Sequence, residues 1–462
     1  MIEIAFIAAY LALALLLIQP RTALLAVLPF VVYLVAYDYL FLHLEQWLGR
    51  SLVPAKTFSE VLLITSVVVV FAVQVRRRVW RALDFAFMGL LAVVTVVGLV
   101  VTRAAPTTAL EDYRVLLAPV VLASLLSLSV RPDPVGLRRL RVLLLGLGAV
   151  AVLIAALQYA TFDGNPQSTW RHDFLLALKL EQNPDYRPHF IQYSIVRNGA
   201  LRASSVFISA IDFSVFAAFF GLLAFVSLVH RRRPIDALWM VASVLGVAVS
   251  QVRIGFIVLA FGWTLTLLLA SRWRTIRASV LLSPLLAIVV ILAYVALGGG
   301  LNDPSSMGRL PQYAFLLDEF SLGGAGFGSY KGRFDSFLIY TGLTLGAGAL
   351  LWGLSIAWLA LRLERADHHL MKRGGHVEER ILVRFALVQL LSAIVVFSVH
   401  HTVGSVSYFL VFLLAFLATR VDRSPRTSWF ASRLPQEGAD SVADRADGAS
   451  RVHLQHRDAT PA

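Results

Sequence analysis

Three arginines of this 462-residue chain stand beside or inside apolar runs, where a charged side chain is unusual. Arg253 lies in SQVRIG, which interrupts an apolar run over residues 237–270. Arg202 lies in LRASSVFISAIDFSVF, and Arg309 lies in SMGRLPQYAFLLDEF. A guanidinium group can bind two phosphate oxygens at once, and low-dielectric surroundings strengthen each contact. Three guanidinium groups that converge would therefore hold a phosphate or diphosphate at a membrane.

Each arginine also has a structural interpretation. A lone arginine near the end of a membrane helix commonly extends its charged group to the interface. Only four of the 41 basic residues are lysine. Arginine is thus the usual cation of this chain, and its presence does not by itself require guanidinium geometry.

The composition predicts the class of elements that carry these residues. Of all residues, 58% are hydrophobic and 15% charged, and the mean hydropathy is +0.74, whereas soluble globular chains are about half apolar and about a quarter charged. The apolar residues form blocks of roughly 17–25 residues, the length that spans a bilayer. The sequence has no cysteine, which excludes disulfides, thiolate metal sites and cysteine nucleophiles. We predict an all-α, polytopic integral membrane protein.

Hydropathy and charge predict its topology. We expect about thirteen transmembrane helices, over residues 2–18, 22–42, 58–75, 84–102, 115–130, 142–160, 211–230, 236–250, 254–270, 279–297, 335–362, 381–399 and 406–420. Basic clusters between alternate blocks, at 76–81, 131–141, 230–234 and 271–277, are cytoplasmic by the positive-inside rule. The N-terminus is then outside, the C-terminus inside, and the three arginines external. The net charge of +13 reflects this topology, so no nucleic-acid binding is predicted.

Two predicted external segments are too long for simple turns. They cover about 161–210 and 298–334, and loops longer than about 15 residues in a compact protein are usually functional or disordered. Both contain aromatic, proline and charged residues, so we expect ordered caps over a transmembrane domain of residues 1–420. Residues 421–462 lose the apolar periodicity and are expected to form a disordered cytoplasmic tail.

Four short motifs resemble those of one family. The stretch Arg202–Ser209, R-x-x-S-x-F-x-S, resembles the pattern R-x-x-G-x-F, and SQVRIG resembles a T/S-x-S-R-G turn. Arg309 followed by GGAGFG at 323–328 resembles an element with an arginine, an aromatic residue and G-x-G, and DSFLIYTGLTLG at 335–346 resembles the helix after it. The motifs extend over roughly residues 140–420. Their order along the chain and their place in the predicted topology resemble those of the O-antigen ligase and polymerase superfamily of lipid-linked glycosyltransferases.

The resemblance implies a GT-C-like membrane fold with two long periplasmic loops, in a bacterial inner membrane. The implied donor is a glycan on undecaprenyl diphosphate, and the implied acceptor is a second lipid-linked glycan. The implied reaction is inverting and metal-independent and uses no cofactor. Arg202, Arg253 and Arg309 would hold the diphosphate, and Arg202 and Arg253 would stabilise its developing charge. Implied partners are membrane lipid, a flippase and a chain-length regulator.

One position departs from the pattern of the ligases, which transfer the glycan to lipid A core. Ligases carry His followed by Asn at the start of the helix after the second long loop, whereas GRFDSFL places Asp335 there. A glycan polymerase is therefore favoured, with a ligase as the alternative. Asp335 is the candidate general base, since a carboxylate can accept a hydroxyl proton, and its structural alternative is a helix N-cap. A lipid-linked oligosaccharide flippase is a third alternative, although it would require polar residues in both membrane halves.

Other residues are candidate contacts to the acceptor or glycan. Asp212 could act near the reacting centre, cap the seventh helix or hold Arg202. Interfacial histidines and loop aromatics also occur without a binding role. The remaining candidates are His172, His189, His400 and His401, with Trp170, Tyr186, Phe190 and Tyr193 as side chains that could stack on sugars.

The glycine run GGAGFG resembles nucleotide-binding loops only superficially. It follows no predicted strand and precedes no Walker lysine. We interpret it as a tight external loop that lets backbone approach the substrate.

Overall fold

The structure is a computed structural model that describes residues 82–129, 132–176, 191–197, 199–271, 274–294, 309–330, 334, 336–400 and 406–421, and before them 35, 39, 40, 42–47, 49 and 72. Regular structure in these ranges is helical apart from one two-stranded hairpin. The all-α class is thereby confirmed. The predicted helices before residue 82 and the tail after residue 421 lie almost entirely outside the described residues.

The helices have the following bounds within the described ranges. They are α1 (Ala82–Val100), α2 (Pro106–Leu116), α3 (Ala118–Ser129), α4 (Pro134–Ala160), α5 (Ile191–Ile195), α6 (Ala210–Arg231), α7 (Pro234–Ser250), α8 (Arg253–Ala270), α9 (Arg274–Tyr294), α10 (Arg309–Glu319), α11 (Phe337–Leu345), α12 (Ala347–Arg373), α13 (Val377–Val399) and α14 (Val406–Ala418). The hairpin strands are β1 (Val196–Arg197) and β2 (Ala200–Leu201). The helices α4, α6, α8, α12 and α13 are long and apolar enough to cross a membrane, which supports a membrane-embedded protein.

Several helix boundaries differ from the predicted ones. The helix expected from residue 142 begins at Pro134, because Asp133 caps it by accepting from Gly136 N at 3.0 Å and proline suits its first position. Charged residues predicted in a loop therefore belong to α4. The helix expected over 335–362 is divided into α11 and α12 at Gly346, whose φ is +54°. The helix expected over 115–130 corresponds to α3, and α2, over Pro106–Leu116, is a separate helix before it that was not predicted.

Two helices form the centre of the bundle. In the most apolar window of α13, 94% of the residues are buried, and in that of α6, 78%. The corresponding fractions for α4, α8 and α12 are 39–44%, so these helices keep one apolar side facing outward. A one-sided apolar surface of this kind suits contact with lipid.

One end of the bundle is defined by the segment before α6. The side chain of Gln158, in the last turn of α4, donates to Ser205 O at 2.8 Å and accepts from Ser205 N at 2.9 Å. The same segment bonds the last turn of α7, where Ala203 N donates to Val249 O at 3.1 Å. We call this the Arg202 end.

Buried ion pairs define the opposite end. Glu378, in the first turn of α13, pairs with Arg141 of α4 at 2.9 Å and with Arg231 of α6 at 3.3 Å. Further along α13, Arg384 pairs with Asp367 of α12 at 3.1 Å. We call this the Asp367 end. The helices α4 and α13 thus both run from the Asp367 end to the Arg202 end.

Close packing of α6, α7 and α8 depends on glycine. A Cβ added at Gly255 would lie 2.2 Å from Ser214 Oγ and 2.8 Å from Val247 Cγ1. A tight turn does follow α7, as the resemblance of SQVRIG to a turn motif predicts, but Arg253 and Gly255, which that motif includes in the turn, lie in α8. The turn consists of Gln251, at φ +53°, and Val252, and Gly255 lies within α8. Small residues at helix contacts are typical of membrane bundles.

We expect Gly255→Val to destabilise the protein by about 1–3 kcal/mol, because an overpacked interface must shift side chains or backbone. Thermal unfolding in detergent measures the loss. Gly353→Val in α12 is the matched control, since nothing lies within 4 Å of a Cβ added there, and it should unfold near the wild-type temperature. Equal losses in the two variants would contradict the role assigned to Gly255.

Candidate anion site at the Arg202 end

A short hairpin positions Arg202. The strands β1 and β2 pair antiparallel with Arg197 opposite Ala200, and Gly199 in the turn between them has φ +78°. Arg202 directly follows β2, and its backbone N–H donates to Ile195 O at 2.7 Å. The hairpin therefore fixes the backbone of Arg202 at the bundle end.

The chain turns sharply at Ser205, which has φ +56° and is fully buried. For an L-residue other than glycine this left-handed conformation costs about 1–2 kcal/mol. The Ser205 hydroxyl has no hydrogen-bond partner among the described residues, and the backbone is held instead by the Gln158 amide. The pattern R-x-x-G-x-F, which Arg202–Phe207 resembles, has glycine at this position, where glycine alone is unstrained.

We expect Ser205→Gly to raise the free energy of unfolding by about 1 kcal/mol, because it removes left-handed strain. Ser204→Gly is the control: Ser204 is equally buried but has no left-handed φ, so added chain flexibility should lower stability by about 0.5–1 kcal/mol. Chemical or thermal unfolding in detergent compares the two. A change of the same sign in both variants would contradict the assigned strain.

Arg171 is a buried cation beneath this segment. Its side chain donates to Arg202 O at 2.5 Å, to Ile208 O at 3.2 Å and to Ser194 O at 3.4 Å. Only 2% of its surface is exposed. Burial, and secondly the neighbouring charge of Arg202, lower the pKa of Arg171 to about 9. Arg171 therefore ties the Arg202 segment together and places positive charge directly under it.

Arg202 is a second desolvated cation. One terminal nitrogen donates to Tyr193 O at 3.2 Å, whereas its buried Nε has no hydrogen-bond partner in the described structure. Burial, and secondly the charge of Arg197, lower the pKa of Arg202. In the described structure the guanidinium makes one hydrogen bond, to Tyr193 O, so its other terminal N–H groups are available to donate to an anion.

The two guanidinium groups together favour an anion. In the described part of the chain, neither Arg171 nor Arg202 forms an ion pair with a carboxylate, and both donate to backbone carbonyls. Removing a charged group from water costs several kcal/mol, and the lowered pKa values express that cost. An oxyanion beside Arg202 would offset it through charge-assisted hydrogen bonds. Tyr193, 70% exposed, lies in the same segment.

The other two predicted arginines lie at the same bundle end. Arg253 is the exposed first residue of α8, directly after the α7–α8 turn. Arg309 begins α10, and one turn later Tyr313 donates its hydroxyl to Ser398 O, near the end of α13, at 2.5 Å. The side chain of Arg309 lies outside the described residues. Convergence of the arginines on one ligand stays a prediction.

The structure assigns different caps from those considered for the two aspartates. Ser209 caps α6, accepting from Ile211 N at 3.1 Å, so the N-cap interpretation of Asp212 is wrong. Asp212 lies within the first turn, where an acidic side chain interacts favourably with the helix dipole. Ser336 caps α11, and Asp335 itself lies outside the described residues.

Two of the four candidate histidines lie in the described part of the chain. His172 follows Arg171, is 9% exposed, and its Nδ1 lies 2.8 Å from Asp173 Oδ1. His400 is the C-cap of α13. His189 and His401 lie outside the described residues. Among the side chains that are described, no group of three or more His, Asp or Glu could hold a metal ion.

The glycine run packs closely against other parts of the chain. Gly324, Gly326 and Gly328 have φ of +70°, +81° and +84°, so the tight loop is confirmed. A Cβ at Gly326, however, would lie 2.3 Å from Thr102 Cα, and Gly328 N donates to Asp112 Oδ2 at 2.6 Å. The glycines let the loop dock against α2 and the residues after α1, and the approach of backbone to a substrate stays a prediction.

Arg171 and Arg197 were not among the sequence-predicted site residues. Asn198–Gly199 is typical of a two-residue hairpin turn, and that signal could have placed Arg197 beside Arg202. No comparable signal marks Arg171, whose burial depends on carbonyls 23 to 37 residues away in the chain.

Comparison with models of protein families, with curated proteins and with solved structures finds no match to this chain. The resemblance to lipid-linked glycosyltransferases therefore stays a prediction.

Proposed function

We propose that the Arg202 end binds the diphosphate of a polyprenyl-linked glycan and that the protein is a glycan polymerase, joining lipid-linked repeat units. The observation that carries this proposal is the pair Arg171 and Arg202. Both are desolvated guanidinium groups that donate to backbone carbonyls, and neither pairs with a carboxylate of the described residues. A lipid diphosphate supplies negative charge at the same depth as these groups. Arg253 and Arg309, at the same bundle end, complete the proposed clamp.

The proposed reaction is a nucleophilic substitution at an anomeric carbon. A sugar hydroxyl of one lipid-linked unit attacks the anomeric carbon of the glycan on a second lipid. The new C–O bond forms as the bond to the diphosphate oxygen breaks, and polyprenyl diphosphate leaves with the electron pair. Attack on the opposite face inverts the anomeric centre. The hydroxyl proton passes to a base, for which Asp335 is the candidate, and Arg202 and Arg253 stabilise the leaving oxygen.

The proposed setting is a bacterial inner membrane, crossed about thirteen times in a GT-C-like arrangement. The Arg202 end would face the periplasm, where the two long loops would cap the site. Basic clusters support this orientation: residues of the clusters at 131–141 and 230–234 lie at the Asp367 end, which the positive-inside rule assigns to the cytoplasm.

A polymerisation assay tests the proposal. Purified protein in lipid nanodiscs is incubated with undecaprenyl-diphosphate-linked oligosaccharides from the source bacterium as the sole substrate, and the products are separated by gel electrophoresis. We expect a ladder of longer glycans. A strict requirement for lipid A core would favour the ligase, and transbilayer movement of substrate without a new glycosidic bond would favour the flippase.

A further inference from the structure

A basic cavity lies at the Asp367 end, opposite the proposed polymerase site. Its volume is about 470 Å³, and it is lined by Pro134 and Arg138 of α4, by Arg231 and Arg233 between α6 and α7, and by His376 and Glu378 at the start of α13. Three helices therefore begin at its rim. Of these, α7 begins without a side-chain cap, and uncapped N–H groups at a helix start favour an anion.

The charges at the cavity are unbalanced. Glu378 is the carboxylate of the lining, and it is already engaged by Arg141 at 2.9 Å and Arg231 at 3.3 Å. Arg138 and Arg233 are exposed, and neither forms an ion pair in the described structure. The charge of Arg233 also acts on the buried Asp236, whose contact within ion-pair distance is Arg141 at 3.8 Å. The cavity therefore has room and cationic groups for a phosphate-sized anion.

From the cavity, an exposed apolar strip continues along α4 and α7. Val135 and Val142, two turns apart on α4, are 60% and 55% exposed, and Leu238 and Val241 of α7 are 58% and 60% exposed. In a membrane-embedded protein this strip lies against acyl chains. A ligand that combines an anionic headgroup with acyl chains matches both parts of the surface, whereas a soluble phosphate matches only the first.

We propose that this cavity binds the phosphate headgroup of an anionic phospholipid, whose acyl chains lie along α4 and α7. Arg138 and Arg233 contact the phosphate, and Arg231 is held in place by Glu378. The proposal goes beyond the chemistry at the Arg202 end and does not depend on it. Basic pockets between helices on the cytoplasmic side of membrane proteins are a known setting for such headgroups.

Lipid retention tests the proposal. The protein is purified in detergent, supplied with equal amounts of dioleoyl phosphatidylglycerol and dioleoyl phosphatidylcholine, and examined by native mass spectrometry. We expect the wild type to retain phosphatidylglycerol preferentially. Arg138→Gln/Arg233→Gln should reduce that retention roughly tenfold or more, since each arginine contributes to the free energy of binding an anionic headgroup. Arg139→Gln, an exposed neighbour outside the cavity lining, should leave it unchanged.

A stability control and a competition with inorganic phosphate complete the test. Both replaced arginines are exposed, so melting temperatures in detergent with added phosphatidylcholine should equal the wild-type value. Each single variant is measured as well. Unchanged retention of phosphatidylglycerol in the double variant would overturn the proposal. Displacement of phosphatidylglycerol by an equal concentration of inorganic phosphate would overturn the lipid assignment in favour of a soluble anion.

Discussion

Arg202→Gln should slow glycan polymerisation by about 10²–10³-fold, the loss expected when one preorganised donor to a developing negative charge is removed. The same substitution should leave the melting temperature unchanged or raised, because it removes a desolvated charge that has no carboxylate partner among the described residues. Replacing a buried charge by a neutral group of similar shape is often neutral or stabilising. Loss of activity without loss of stability is therefore the signature expected of a ligand-binding arginine.

Two variants sharpen this prediction. Arg202→Lys keeps the charge but loses the planar fork, so its rate should fall between those of the wild type and Arg202→Gln. Arg103→Gln is the matched control, since Arg103 is an exposed arginine just after α1 and should retain the wild-type rate. Single-turnover rates with lipid-linked oligosaccharide, together with thermal unfolding, separate chemistry from folding. Full activity in folded Arg202→Gln would refute the proposed diphosphate contact.

The sequence predicts most described helices because their signals are local. The ends of α6, α7 and α8 agree with the predicted bounds to within two residues. A serine cap precedes α6, a proline begins α7, and a tight turn precedes α8. The start of α4 is missed because its first turns carry arginines, and a charged stretch at the end of an apolar run has the composition of a loop. Hydropathy therefore locates the part of a helix in the membrane and not the part that extends beyond it.

The candidate site is less predictable because burial depends on distant residues. Arg202 stands out in the sequence because an apolar run follows it. Arg171 has the same side chain in an ordinary loop context, and it becomes buried only when three carbonyls from later in the chain fold over it. The role of a glycine is equally hard to predict from local sequence. Gly255 resembles a turn residue in the sequence, whereas contacts from α6 and α7 give it a packing role.

Asp367→Asn should destabilise the protein by about 3–5 kcal/mol, the cost of leaving buried charges without their partner. Asp367 is fully buried in α12, and its carboxylate accepts from Arg277 NH2 at 2.8 Å and from Arg384 Nε and NH2 at 3.2 and 3.1 Å. Both arginines are themselves almost fully buried. Asparagine offers one acceptor oxygen and no charge, so Arg384 would lose its carboxylate partner and Arg277 would keep only Glu364 at the junction of α9, α12 and α13.

The comparison with Glu364 isolates the effect of burial. Glu364 pairs with the same Arg277 at 3.1 Å, but 19% of its side chain is exposed, so water can replace part of the interaction. Glu364→Gln should therefore cost about 1 kcal/mol or less. Thermal unfolding of both variants in detergent measures the difference, and a loss below 1 kcal/mol for Asp367→Asn would contradict the prediction.

A triple variant distinguishes uncompensated charge from lost packing. Asp367→Leu combined with Arg277→Met and Arg384→Met removes all three charges while keeping apolar volume beside Met371, whose sulfur lies 3.2 and 2.8 Å from the two guanidinium groups. Apolar replacement of buried ion groups is often neutral or stabilising, and the one carboxylate left without its arginine, Glu364, is partly exposed to water. This variant should therefore recover most of the stability that Asp367→Asn loses. If it unfolds as easily as Asp367→Asn, the shape of the ion network rather than its charge balance holds α9, α12 and α13 together.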